Sequence, residues 1–348
     1  MYGFRKPFTA GTFLENPGET AWKTYLVTAQ VLGYTISKFI RIRVIAEMST
    51  ERRAPVLLSL IGFAQLALLL FAIVPAPYHV GCMFLNGLPL GMVFGLVLGF
   101  IEGRRATEAF VAGLCTSFIL ADGVTKSVGA WLIQIGIPER WMPFCAGLVF
   151  IMPLFLFVEM LRRIPGPTVN DLASRSERVP MTKSERLNVL KRHGIGLGLI
   201  SFAYLLITVL RSIRADFAPE IWAALGTTGR PAMFTTSEVY VALGVLVLNG
   251  AIVMVRNNRT AFFVSIGLCL SGLAMAGLAI WGWEAKTLDG FDFMVLLGLW
   301  DVCALRGGAH ERIRAFDCAY TRAGEPWIYD VHRGCLRVLG IRCSNFGK

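Results

Sequence analysis

The sequence has little charge for its length. Charged residues make up 16% of 348 residues, whereas soluble proteins carry about 25%. This shortage argues against a pair of soluble domains and against disorder. The eight cysteines show no spacing that demands disulfides, which argues against a secreted disulfide scaffold. Among the four histidines, none stands in a metal-ligand pattern or beside a nucleophile, so we expect no enzyme, no metal and no cofactor.

What the sequence does have is apolar residues in blocks of the length that spans a bilayer, roughly 20 residues. These blocks predict an all-α polytopic membrane protein. We predict a partial first span and eight full spans, followed by the start of a tenth. The predicted bounds are about 1–14 for the partial span, 22–46, 55–75, 79–101, 107–134, 142–161, 192–222, 236–255 and 260–283 for the full spans, and 291–300 for the tenth.

The positive charges predict how the chain is oriented in the membrane. The net charge is +11, and sixteen Lys and Arg fall in alternate loops against four in the other loops. Such a bias marks cytoplasmic loops, so we expect a multi-pass protein of the bacterial inner membrane with its long linker in the cytoplasm. Nucleic-acid binding is disfavoured, because the charges are divided among loops rather than gathered on one face.

The long polar linker divides the chain into two halves. We predict an N-terminal bundle of six helices at 1–163, a cytoplasmic linker at 164–190 and a partial C-terminal bundle at 191–301. A basic, cysteine-containing tail at 302–348 follows. The pattern indicates a two-bundle fold truncated at both ends, with only the second half of the first helix present.

The tail differs from the rest of the chain, since 302–348 holds four cysteines and no span. Three interpretations stay open: a basic cytoplasmic tail, a poor zinc site, or the product of a shift in reading frame near Trp300. The frameshift hypothesis predicts that a resequenced gene would differ around codon 300.

Two arginines occupy matching positions in the first helix of each half, Arg5 and Arg211. A guanidinium at membrane depth needs a partner, a water-filled cavity or a function, and its planar fork fits two oxygens of a phosphate or carboxylate. We therefore predict that the two arginines converge on one small anion between the halves. The alternatives are that they snorkel to an interface or that Arg211 pairs with Asp216.

Further charges lie within the predicted spans. Asp122 and Lys126 are four residues apart, one helical turn, so they either pair with each other or leave Lys126 as a third cation facing the anion. Lys38 lies near the cytoplasmic end of its span, where snorkelling and substrate binding are equally expected. Asp122 and Asp216 are candidates for a structural or coupling role. Glu238 is expected to be solvated.

Glycines recur at every fourth residue of the fourth span. Such a stripe allows a neighbouring helix to approach closely, and packing is the favoured interpretation over sliding between two states. Within the span the stripe consists of Gly87, Gly91, Gly95 and Gly99.

These features resemble a known family. The runs Tyr2-Gly-Phe-Arg-Lys-Pro-Phe8, Gly33-Tyr-Thr-Ile-Ser-Lys-Phe-Ile40 and Thr208-Val-Leu-Arg211, followed by Asp216-Phe-Ala-Pro219, resemble organophosphate:phosphate antiporters of the major facilitator superfamily. The chain as a whole resembles an uncharacterised bacterial branch of that superfamily more closely, with Asn86-Gly-Leu-Pro-Leu-Gly91 and Glu102-Gly-Arg-Arg105 as its marks. The resemblance implies a twelve-helix fold with alternating access, in which Arg5 and Arg211 match the phosphate-binding arginines. Lys126 stands where the antiporters have a histidine.

Together these patterns predict a secondary transporter of a small organic anion, phosphorylated in one version of the hypothesis, that acts as a monomer in the lipid bilayer. The substrate-binding residues would be Arg5, Arg211, Lys126 and Lys38. The alternatives are a non-transporting receptor or sensor of the same fold and an inactive truncated product.

Overall fold

The computed structural model describes residues 1–13, 22–44, 50–101, 107–165, 183–227, 230–253 and 258–300. Within these ranges the chain is helical, and no β-strand occurs in them. The predicted tail at 302–348 and most of the predicted linker lie outside them. The described helices are two 3₁₀ turns (Tyr2–Phe4 and Pro7–Ala10), α1 (Trp22–Val44), α2 (Thr50–Ile73), α3 (His79–Ile101), α4 (Thr107–Gln134), α5 (Met142–Arg162), α6 (Lys183–Asp216), α7 (Ala218–Ala224), α8 (Ala232–Val253), α9 (Asn258–Glu284) and α10 (Gly290–Trp300).

The bounds of these helices agree with the predicted spans except at two places. The first segment forms two 3₁₀ turns and not half of an α-helix, because Pro7 has no N–H to donate to the carbonyl group four residues earlier. The predicted span 192–222 is divided into α6, which begins earlier at Lys183, and α7. Pro219 explains the division, since the first turn of α7 accepts it whereas the interior of α6 would not.

Three of the described helices are long and apolar enough to cross a bilayer: Glu51–Ile73, His79–Phe100 and Met142–Arg162. Many apolar side chains of α5 are exposed, with Met152 83% and Leu156 61% accessible. A continuous apolar surface of this kind is avoided by soluble monomers and is what lipid requires. These features indicate a membrane protein.

The chain forms two compact units. The first contains the described residues of Met1–Glu177, Ser212–Gly244 and Asp289–Val295. The second contains the described residues of Arg178–Arg211, Val245–Leu288 and Leu296–Lys348. Arg5 therefore belongs to the first unit and Arg211 to the second.

The first unit is organised around the N-terminal turns. Phe4 and Phe8 are almost fully buried in two neighbouring apolar clusters. The turns also contact α4 and α5, while α1 and α2 both pack along α3. Burial of two phenylalanine side chains contributes roughly 1.5–3 kcal/mol each. This anchoring holds the short segment that carries Arg5 and Lys6.

The second unit consists of apolar helices with exposed side chains. On α6 the side chains of Ile195, Leu199 and Phe202 are exposed, at spacings of three and four residues that lie on one face of the helix.

Where α9 ends, the N–H groups of Thr287 and Leu288 donate to the carbonyl oxygen of Gly282 at 2.9 and 3.2 Å.

Candidate functional site

Two of the predicted substrate-binding residues lie at one aromatic ring. The guanidinium carbon of Arg5, between the two N-terminal turns, is 4.6 Å from the ring centroid of Tyr34. The ammonium of Lys38, one helical turn after Tyr34 on α1, is also 4.6 Å from that centroid. At most about twice this distance therefore separates the two cations. The ring is neutral, but its electron-rich face attracts each cation.

Arg5 retains hydrogen-bonding capacity at this site. Its Nε atom is buried, and no hydrogen-bond partner is found for it among the described residues. A buried donor without a partner costs about 1–3 kcal/mol. An anion placed at the guanidinium would satisfy this donor and would bring opposite charge to both cations.

The neutral side-chain amides of Gln30 and Asn86 form hydrogen bonds with the backbone at Arg5. Gln30 Nε2 donates to the carbonyl oxygen of Arg5 at 3.2 Å and to Asn86 Oδ1 at 2.8 Å. Asn86 Nδ2 donates to the carbonyl oxygens of Phe4 at 3.1 Å and Ala64 at 3.0 Å. We call Gln30 and Asn86 the amide pair. It joins α1, α2 and α3 to the N-terminal turns.

The predicted glycine stripe explains how the amide pair forms. A Cβ on Gly87 would collide with the carbonyl oxygen of Gln30, and one on Gly91 would lie 2.5 Å from the carbonyl oxygen of Tyr34. The packing interpretation is therefore confirmed at these two glycines, where α1 and α3 approach backbone to backbone. Gly99 instead lies against Arg53 of α2, which donates to its carbonyl oxygen at 2.6 Å, and Gly95 is only partly buried.

The residue after Arg5 belongs to a different environment. Lys6 forms a buried ion pair with Asp216 at the end of α6, and its ammonium lies 3.6 Å from Asp122 of α4. Asp122 is also paired with Lys126, one turn later on α4. All four side chains are at most 8% accessible. We call these four residues the charge network.

More polar contacts within the first unit join α1 and α4 to the segment that follows Asp216. Lys23 donates to Glu220 at 2.6 Å and to the carbonyl oxygen of Thr9 at 2.8 Å. Ser127 donates to the carbonyl oxygen of Pro231 at 2.6 Å. The first unit is therefore held together by polar bonds between residues that are far apart in the sequence.

A small cavity adjoins the charge network. It has room for about one water molecule, and its polar lining comes from Lys126, Arg214, Ser237 and Glu238. Arg214 donates to Glu238 Oε1 at 3.0 Å. The expectation that Glu238 is solvated was wrong, because the side chain is buried and paired.

The structure thus groups some predicted site residues and separates others. Arg5 and Lys38 meet at Tyr34, whereas Lys126 is paired with Asp122, the first of its two predicted alternatives. Asp216 pairs with Lys6. The convergence of Arg5 and Arg211 stays a prediction.

Four residues of these environments were not predicted as site residues from the sequence: Lys6, Gln30, Tyr34 and Asn86. For Lys6 there was a signal, since an ammonium next to Arg5 at the same depth also needs a partner. The amides and Tyr34 carry no charge, and nothing in the sequence distinguished them from ordinary packing residues.

A family model described as "Family of unknown function (DUF5690)" matches residues 7–301 of the chain. Among proteins with curated descriptions, none matches. The matched range includes the amide pair, Lys38 and three of the four residues of the charge network, and it begins just after Lys6.

Proposed function

The chain belongs to the DUF5690 family, which is described as one of unknown function, and we propose that it is a secondary membrane transporter of a small organic anion that works by alternating access. The proposal places the protein in a bacterial inner membrane, with the anion as its partner and with no cofactor. A phosphorylated anion is one candidate substrate, and a carboxylate is the other.

The observation that carries the proposal is the placement of Arg5 and Lys38 at one ring. Each cation lies 4.6 Å from the centroid of Tyr34. An anion bound here would bring opposite charge to the guanidinium of Arg5. The buried Nε of Arg5 adds a directed donor. This chemistry fits a phosphate or carboxylate and not a cation or an apolar ligand.

The resemblance to major facilitator antiporters supports the same proposal. In that comparison Arg5 and Arg211 supply one guanidinium from each half of the chain, and the substrate lies between the halves. We propose this role for Arg211 as well. Lys126 is the less favoured part of the predicted site, because Asp122 already neutralises its charge.

The charge network fixes the segment that contains Arg5. Lys6 pairs with Asp216, which lies 210 residues later in the sequence, and a second carboxylate, that of Asp122, lies 3.6 Å from its ammonium. Buried, compensated charges of this kind hold the N-terminal turns where Arg5 would meet the anion.

The first experiment is a thermal-unfolding screen of the purified protein in detergent against inorganic phosphate, phosphate monoesters and carboxylates. A ligand at 100 times its Kd stabilises the folded state by about 2.7 kcal/mol. We expect stabilisation by at least one of these anions and none by matched cations such as choline. If no anion raises the unfolding temperature, the proposed substrate class is wrong.

Flux separates a transporter from a receptor or sensor of the same fold. Proteoliposomes loaded with the anion that binds should exchange it for labelled external anion, and empty liposomes should not. Binding without flux would favour the receptor, and an inactive truncated product would show neither.

Arg211→Lys tests the second arginine. Because lysine keeps the charge and loses the bidentate fork, we expect membrane insertion to be intact and anion uptake to be abolished. Uptake at the wild-type rate would remove Arg211 from the site. Arg163→Lys, in an exposed ion pair with Glu159 on α5, is the matched control.

A further inference from the structure

We propose that Gln30 and Asn86 are positioning residues for the anion site, in that the amide pair fixes the backbone from which Arg5 reaches Tyr34. The inference rests on the proposed function, since it assumes that Arg5 binds the anion. Neither residue needs to touch the anion. Their role is to determine where the guanidinium of Arg5 lies.

The geometry of the amide pair is specific for this segment. Two consecutive carbonyl oxygens, of Phe4 and Arg5, accept hydrogen bonds from Asn86 Nδ2 and Gln30 Nε2 respectively. The two amides also bond to each other at 2.8 Å. Both side chains are at least nine-tenths buried, with Asn86 0% and Gln30 2% accessible. Both hydrogens of each amide NH₂ group are used, so each group is fully committed.

The segment needs such support because it is not an α-helix. Residues 2–10 form two short 3₁₀ turns, whose hydrogen bonds have poorer geometry than those of an α-helix. Arg5 lies at the junction between the turns. Its own N–H donates to the carbonyl oxygen of Tyr2 at 3.0 Å, and Gln30 holds its carbonyl group. The backbone of Arg5 is therefore fixed from both sides.

The pair also explains the close approach of α1 and α3. Because Gly87, the neighbour of Asn86, has no side chain, the backbone of α1 at Gln30 can pack directly against α3. A larger residue at position 87 would move Gln30 away from Asn86 and from the carbonyl oxygen of Arg5. The Asn86-Gly87 sequence thus combines a donor with the space that the donor needs.

The neutrality of the amides suits an anion site. A carboxylate at either position could not donate to the carbonyl oxygens of Phe4 and Arg5. It would also place a negative charge near Arg5, which would compete with an anionic substrate. An amide donates the required hydrogen bonds and leaves the charge of Arg5 available.

The test compares two buried glutamines. Gln30→Met keeps the approximate length of the side chain and removes its donors. Gln65→Met is the matched control, because Gln65 is also buried and donates to a backbone carbonyl group, that of Phe144, at 3.0 Å. Gln30→Met removes two donated hydrogen bonds and Gln65→Met removes one, so a larger loss of stability is expected for Gln30→Met. Only effects at the site therefore test the positioning role.

A measurement without ligand examines the positioning itself. Hydrogen–deuterium exchange by mass spectrometry reports the peptide that contains residues 1–13. In Gln30→Met we expect its amides to exchange about fivefold to tenfold faster than in the wild type, as loss of one buried hydrogen bond predicts. In Gln65→Met we expect the wild-type rate. Equal exchange of this peptide in both variants would overturn the inference, whatever anion binds.

A second measurement examines the consequence for binding. With inorganic phosphate as the probe in titration calorimetry, Gln30→Met should weaken binding about tenfold and Gln65→Met should leave it unchanged. In an Arg5→Lys background, Gln30→Met should add almost nothing, since both changes affect one interaction. Full additivity would overturn the positioning role. If wild-type protein binds no phosphate while the exchange result is as expected, phosphate as substrate fails and the positioning of the segment stands.

Discussion

Two neighbouring residues of the N-terminal turns lie in contrasting surroundings. The backbone at Arg5 is bonded to the neutral amide pair, at the place where α1 and α3 pack closely at Gly87. Lys6 enters the charge network, where its ammonium is surrounded by carboxylates from α4 and α6. The positive charge of Lys6 is fully compensated by the protein, whereas the protein supplies a ring and a second cation around Arg5.

This contrast shows how one short segment can serve two purposes. Burial of a compensated charge fixes the segment, because removing either partner leaves a charge in an apolar environment. Neutral hydrogen bonds then set the position of the adjacent residue without neutralising it. Among the described residues, Arg5 is therefore a cation packed against an aromatic ring, whereas Lys6 is a cation paired with carboxylates.

The largest expected effect comes from breaking the charge network at Lys6. Lys6→Met leaves the carboxylate of Asp216 buried without the ammonium of Lys6. Removing one partner of a buried ion pair lowers the free energy of unfolding by about 3–5 kcal/mol. We expect a marked fall in the thermal-unfolding temperature in detergent and a reduced yield of folded protein. The double change Lys6→Asp with Asp216→Lys should recover part of the stability. A Lys6→Met protein as stable as the wild type would show that the network does not hold the segment.

The close approach of α1 and α3 should respond to a single methyl group. Gly87→Ala places a Cβ against the carbonyl oxygen of Gln30, and forcing such a group into a packed contact costs about 1–3 kcal/mol. Gly81→Ala on the same helix is the control, because nothing lies within 4 Å of its added Cβ. We expect that control to be neutral or slightly stabilising. Equal unfolding temperatures for the two variants would contradict the account of the amide pair.

The smallest effect is expected for an ion pair outside both regions. Glu159 pairs with Arg163 at 3.0 Å on the exposed surface of α5. Exposed pairs of this kind contribute little, so Glu159→Gln should leave the unfolding temperature unchanged within error. A loss comparable to that of Lys6→Met would mean that burial does not distinguish the two kinds of ion pair.

Most of the helices could be predicted from the sequence, because apolar blocks of bilayer length and the glycine stripe are local patterns. The division after Asp216 could have been anticipated from Pro219. The 3₁₀ turns at the N-terminus were harder to predict, since their conformation depends on amides from α1 and α3 as well as on Pro7.

The candidate site was only partly predictable for a similar reason. The pair formed by Asp122 and Lys126 is one of the two alternatives that their spacing on one helix allows. The bond between Lys6 and Asp216 joins residues far apart in the chain, and a single sequence does not specify which distant charges meet. The meeting of Arg5 and Lys38 at Tyr34 likewise depends on how α1 packs beside the N-terminal turns.

The central claim is that the guanidinium of Arg5 binds an anion at the ring of Tyr34. The most direct test is the affinity for inorganic phosphate of wild-type protein, Arg5→Lys and the surface control Arg163→Lys, measured by calorimetry in the same detergent. We predict that Arg5→Lys weakens binding by at least about tenfold, as loss of a charge-assisted bidentate contact implies, and that Arg163→Lys binds like the wild type. Phosphate binding of equal strength in all three proteins would contradict the claim.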